Sequence, residues 1–143
     1  MSFIKYARFA FYMSLLSHAL ALAELPGVKV FVSNISPTTG TVEVTLFNSA
    51  ESFLTEVYLQ QSGQADEYGN FEVEFVSLPE GEYAVVVVHD ENDNGKLDAG
   101  FLGFGGESYG YSNNVGTVFG RPDFEDVKLT VDQPKTLVEI DFN

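Results

Sequence analysis

The stretch in which residue type and spacing point most clearly to chemistry is His89-Asp90-Glu91-Asn92-Asp93-Asn94-Gly95-Lys96-Leu97-Asp98. Oxygen-bearing side chains recur at alternate positions, at Asp90, Asn92 and Asn94, followed by Gly95 and then Asp98. Alternation of this kind lets a tight loop aim several oxygens at one hard cation, and the glycine permits the sharp reversal. Laid on a helix–loop–helix calcium pattern, Asp90, Asn92 and Asn94 take the first three ligand positions. Gly95 takes the glycine position, the Lys96 carbonyl the main-chain position, and Asp98 the next. Leu97 is the apolar residue expected to anchor such a loop in the protein. The position that should carry a bidentate glutamate is Phe101, so a completing ligand has to come from elsewhere. Glu107, Asp123, Glu125 and Asp126 are the candidates, with Glu91 or Asp93 if the loop folds differently.

The expected metal set is therefore Asp90, Asn92, Asn94, Lys96 and Asp98, and the expected ion is a structural calcium. With two carboxylates in the loop the affinity should be weak, about 10⁻⁴ to 10⁻³ M. Magnesium is disfavoured because it prefers to keep several waters. The competing reading is an ion-free turn, since Asn, Asp and Gly favour loops through local hydrogen bonds and left-handed conformations.

Other chemistry is poorly supplied. His89 is the one histidine after residue 18, and the chain has no cysteine. Thiol catalysis, thiolate-bound zinc and iron–sulfur clusters are excluded, and zinc of any kind lacks a second histidine. A hydrolase centred on His89 would need Asp90 or Glu91 to orient it and Ser108 or Ser112 as nucleophile, but no strained nucleophile turn is evident. A hydrogen-bonded structural histidine is the simpler reading, and no enzymatic activity is expected. Tyr109-Gly110-Tyr111-Ser112-Asn113-Asn114 is polar and aromatic, and the loop 101–124 could bind an extracellular glycan or peptide. The plainer reading has its tyrosines covering a sheet and its asparagines bonding loop backbone.

The elements that must position these residues read as β-strands. Val28, Val30 and Val32 alternate with Lys29 and Phe31; Val42, Val44 and Leu46 repeat the pattern; Phe71, Val73 and Phe75 alternate with Glu72 and Glu74. Glu56 to Gln61 is a weaker strand, and Phe53, Leu54, Val57 and Tyr58 would equally suit a helical turn. Tyr83 to Val88 is apolar at every position, which implies a strand covered on both faces. Val127 to Val131 and Val138 to Phe142 close the chain. Ala99 to Asp123 shows no period but is rich in large apolar residues, so it is expected to be an ordered loop packed on the sheet. The predicted fold is all-β: an antiparallel Greek-key β-sandwich of about seven strands with one long ordered loop.

Residues 1–23 read as a signal peptide, with Lys5 and Arg8 ahead of an apolar stretch and Ala21-Leu22-Ala23 before the cut. Its apolar run is shorter than the roughly 18 residues a spanning helix needs. Residues 24–143 then form a single β-sandwich domain, with no membrane span after cleavage. Five basic residues against 21 acidic ones leave that portion at −16. Such a field repels nucleic acid and anionic membranes and favours cations. Secreted or periplasmic residence is expected, with association at the cell surface also open.

Four segments occur together in order: Leu78-Pro79-x-Gly81-x-Tyr83-Ala84-Val85, the 89–98 loop, Tyr109 to Asn114, and Pro122-x-Phe124-Glu125-Asp126. The combination resembles the bacterial domain-of-unknown-function family 2141 over nearly all of the chain after residue 23. The resemblance implies export and a transthyretin-like or carboxypeptidase-regulatory-like sandwich, and it implies no particular activity. Two segments depart from the family pattern. Phe104 to Tyr109 stands where an Ile-Pro-Lys-Glu-Gly-Tyr-like stretch is usual, and Gly120 to Phe124 where Gly-Pro-Pro-Ser-Phe is usual. Any binding preference carried by relatives is least transferable there.

Overall fold

The computed structural model describes residues 25–98, 106–118 and 120–142. The leader expected over 1–23, and the large apolar loop residues Phe101, Leu102, Phe104 and Phe119, lie outside those residues. Eight strands are present: β1 (Val28–Ser33), β2 (Thr41–Phe47), β3 (Leu59–Gly63), β4 (Phe71–Phe75), β5 (Gly81–Asp90), β6 (Tyr109–Tyr111), β7 (Leu129–Val131) and β8 (Thr136–Asp141). One short helix, α1, spans Phe124–Val127. Among the described residues no helix is long and apolar enough to cross a membrane.

The strands form two sheets, ordered β4-β1-β8 and β3-β2-β5-β6, with β7 pairing the start of β5. All pairings are antiparallel but one. β1 and β8 run parallel, Val28 facing Thr136 through Ser33 facing Asp141. That is the departure from an all-antiparallel expectation, and it joins the two ends of the fold side by side.

Alternation places one side chain in two between the sheets. Val28, Val30 and Val32 from β1, Val42, Val44 and Leu46 from β2, and Val85 and Val87 from β5 are fully buried there with Ile140. The remaining face of β5 is covered too, as its unbroken apolar run requires. Ala84 and Val86 belong to a second cluster with Phe47, Tyr111, Phe124 and Val127, and Phe53, Leu54 and Val115 pack against it. Phe53 sits edge-on to both Phe47 and Phe124, with ring centroids 5.4 and 5.9 Å apart. Each such pair adds about 0.5–1.5 kcal/mol beyond area burial.

The long segment after residue 98 thus covers β5 in a manner different from the expected loop. Tyr109–Tyr111 joins the sheet beside β5, Val86 facing Tyr111 and Val88 facing Tyr109. The cover is shared: Tyr111 and Val115 of this segment pack on that face together with Phe124 and Val127 of α1 and with Phe53 and Leu54 from the turn before β3.

Candidate functional site

β5 delivers the candidate site. Its last two residues, His89 and Asp90, are buried, and the chain then leaves the sheet into the 91–98 loop. The departure is tightly constrained. Gly40, with φ +85°, leads into β2 so close to the loop that a Cβ would stand 2.3 Å from the Asp90 carbonyl oxygen. Across the same gap Thr41 donates its hydroxyl to Asp93 at 2.6 Å. Gly95 adopts φ +73°, the left-handed conformation that favours glycine, at the reversal anticipated from the sequence.

The predicted ligand side chains converge. The Asp90 carboxylate is 4% exposed and accepts main-chain N–H groups from Asn94 at 3.1 Å and Gly95 at 2.7 Å. Asn92 Oδ1 accepts from Asn94 N–H, and Asn94 Oδ1 accepts from Lys96 N–H at 2.8 Å. Both asparagine amides donate to one oxygen, Asp98 Oδ2, at 2.7 Å from Asn92 and 2.8 Å from Asn94. Lys96 enters this arrangement through its main chain, its N–H being the group bonded to Asn94. These contacts are the local Asx-type bonds of an ion-free turn, arranged around the same carboxylates that a cation would need.

Of the four residues outside 90–98 considered for completing the site, one reaches the loop. Glu107 is 8% exposed, and its Oε1 accepts Glu91 N–H while Oε2 accepts Asp98 N–H, both at 2.9 Å. Asp123 and Asp126 are used at the start of α1, where the Asp126 carboxylate accepts Asp123 N–H at 3.0 Å. Glu125 pairs with Lys128 at 2.8 Å. Asp93 is held by Thr41. Leu97, expected to anchor the loop, is instead 48% exposed. Anchoring falls to Glu107, a polar clasp that apolar spacing could not reveal.

The electrostatics are one-sided. Segment 90–98 carries four carboxylates and one lysine, and Glu107 adds a fifth carboxylate. The four ion pairs among the described residues involve Glu72, Glu82, Glu125 and Glu74, so none reaches Asp90, Asp98 or Glu107. Two buried carboxylates are thus balanced by main-chain dipoles rather than by a cationic side chain. Among the described residues no three His, Cys, Asp or Glu side chains could hold a metal by themselves. An ion at this loop would therefore depend on the asparagine oxygens and main-chain carbonyls as well.

His89 is fully buried, and its Nε2 lies 2.7 Å from the Thr39 carbonyl oxygen. A carbonyl can only accept, so Nε2 carries the hydrogen. Nδ1 has no partner among the described residues. Neither serine considered as a nucleophile bonds to the ring. Ser108 meets His89 through main chain, its carbonyl accepting His89 N–H at 2.8 Å.

Ser112 is fully buried, accepts Val85 N–H at 3.0 Å and donates to the Val127 carbonyl. It ties β5 to α1, and its two neighbours extend the tie. Asn113 donates to the Lys128 carbonyl at 3.1 Å, while Asn114 donates to the Glu139 carbonyl and accepts Asp141 N–H, both at 3.0 Å. Both asparagines take positive φ, a conformation their type tolerates. The aromatic partners divide. Tyr111 is 7% exposed and belongs to the second apolar cluster, leaving Tyr109 as the tyrosine of this segment with an exposed ring.

A family model described as an uncharacterized protein conserved in bacteria (DUF2141) matches residues 30–139, from β1 into β8, and the chain belongs to that family. No curated protein and no solved structure matches it.

Proposed function

We propose that this family member is an exported, non-enzymatic β-sandwich module whose 90–98 loop takes a structural calcium ion. The observation that supports this most is the pair of buried carboxylates, Asp90 and Glu107, at one loop without a cationic side chain against them. Burying ionised groups is costly unless they are paired or coordinate a metal. Calcium suits the donors, since it accepts six to eight oxygens from carboxylates, amides and carbonyls in flexible geometry.

Asp90, Asn92, Asn94, the Lys96 carbonyl and Asp98 are the proposed ligands, with Glu107 closing the set. Two amide dipoles now point their positive ends at Asp98. An ion would take over that role as Asn92 and Asn94 turned their oxygens inward. The consequence would be mechanical: the loop would leave β5 at a fixed angle and hold the segment leading to β6. Export fits the acidic surface and the basic, apolar start of the sequence.

Calorimetric titration of the purified protein with calcium chloride tests the reading. Saturable binding of about one ion per chain at submillimolar to millimolar calcium is expected. Heats no different from dilution would contradict it.

A further inference from the structure

The outer edges of the two sheets are protected unequally. At β8, the Asn114 amide donates to the Glu139 carbonyl and accepts Asp141 N–H, as a peptide group of a parallel neighbour strand would. At β4, Gln61 donates its side-chain amide to the Glu74 carbonyl at 2.8 Å. β6 is three residues long. Among the described residues the outer edge of β3 has no such device.

The direction of the β3 main chain follows from the ladder. Val85 N–H and His89 N–H turn toward the β6 side, to Ser112 and Ser108. The alternate residues Val86 and Val88 therefore bond β2 at Thr45 and Glu43. Val42, Val44 and Leu46 are left to bond β3 at Gly63, Gln61 and Leu59. The N–H and C=O groups of Gln60 and Ser62 consequently point out of the sheet. Among the described residues no hydrogen bond reaches them.

Charge singles out the same strand. Val57 to Ala65 is a run of nine residues with no charged side chain, bracketed by Glu56 and Asp66, in a chain of net charge −14. Natural edge strands are usually blunted with charge, proline or a bulge because unpaired main-chain groups recruit another strand. A basic foreign partner would seek the carboxylates and gain nothing from this run. A second copy of the chain would be repelled across most of the surface but brings the same uncharged strand here.

We infer that β3 is a dimerisation edge, pairing antiparallel with β3 of a second copy about a two-fold axis at Gln61. In that register Gln60 faces Ser62 of the copy and Ser62 faces Gln60, and each pair exchanges two main-chain hydrogen bonds. The contact is isologous and closes on itself, so it ends at two copies. It does not depend on calcium.

Sedimentation equilibrium of the purified chain, over a concentration series in low and high salt, tests this. A mass approaching two chains is expected at high concentration, with tighter association in high salt as repulsion between the acidic bodies is screened. Ser62→Pro removes an outward N–H without touching the β2–β3 ladder. With two donors lost per dimer it should weaken association by about thirtyfold. Gln60→Glu, an exposed change that also forfeits the side-chain bond to Glu43 at 3.1 Å, should weaken it too by placing the two new carboxylates diagonally across the edge. Circular dichroism confirms that each variant is folded, and Leu137→Lys on the β8 side should leave association unchanged. A single-chain mass at every concentration and salt, or a dimer equally stable in both β3 variants, would overturn the inference.

Discussion

Glu107 and Asp98 hold each other at both their main chains and one side chain. Asp98 N–H donates to Glu107 Oε2 at 2.9 Å, and Glu107 N–H donates to the Asp98 carbonyl at 3.0 Å. With Glu91 N–H on its other oxygen, Glu107 spans the mouth of the loop. Glu107→Gln keeps the shape but replaces one acceptor oxygen with a donor, setting an N–H against an N–H. It should lower stability in chelator by about 1–3 kcal/mol, measured by urea denaturation, because a buried donor loses its partner. The same variant should also reduce any stabilisation by calcium.

Ser112 should matter for stability in a way its position in a polar, aromatic segment does not suggest. Ser112→Ala leaves Val85 N–H without its side-chain acceptor and removes the donor to the Val127 carbonyl, both in the interior. A loss of about 1–3 kcal/mol in urea denaturation is expected. A change within a few tenths would show that the hydroxyl is dispensable as a tie between β5 and α1.

Asn114→Ala opens the β8 edge at Glu139 and Asp141 and removes two hydrogen bonds from an exposed position. The expected cost is about 1–2 kcal/mol, together with a greater tendency to aggregate, read by light scattering of concentrated samples. Asn114→Gly, which accommodates the φ of 48° without strain, should cost less than alanine yet still destabilise, because the hydrogen bonds lost are in the side chain.

Alkaline pH should destabilise the fold through three groups with the same sign. Burial pushes the Tyr83 and Tyr111 phenols above their ordinary value of 10.0, the latter helped by neighbouring Tyr109. Hydrogen bonds donated to Glu125 and Glu82 hold Lys128 up at about 12. A group whose folded pKa exceeds its unfolded one stabilises fully below the unfolded value, and that contribution fades as pH rises through the folded value. The contribution of these three groups should therefore be level below about pH 9 and fall from about pH 10 to 12. Tyr111→Phe should flatten the early part of that fall, as followed by tyrosinate absorbance alongside circular dichroism.

Much of this architecture was legible because it is periodic. Val28 to Val32, Val42 to Leu46 and Phe71 to Phe75 declared their strands and inward faces, and the uninterrupted run before His89 declared a strand buried on both sides. Which strand would lie beside which was not legible. The parallel pairing of β1 with β8 joins segments more than 100 residues apart, and nothing local encodes it. Tyr109–Tyr111 was hidden as a strand because three residues with a central glycine carry no period. The site was legible where spacing is chemical, at Asp90, Asn92, Asn94, Gly95 and Asp98. It was illegible where one long-range contact decides among equals: Glu107 clasps the loop while Asp123, Glu125 and Asp126 serve α1. Leu97 shows the limit of a borrowed pattern, since its apolar character predicted an anchor and it lies half exposed.

Thermal unfolding in millimolar calcium and in chelator tests the central claim most directly. At free calcium ten times the dissociation constant, linkage stabilises the folded chain by about 1.4 kcal/mol, a rise of about 5 °C in midpoint. Asp90→Ala should abolish that rise while His89→Ala, though destabilising, should retain it. A midpoint unchanged from chelator to several millimolar calcium would contradict the account and leave the loop as a turn closed by its own hydrogen bonds.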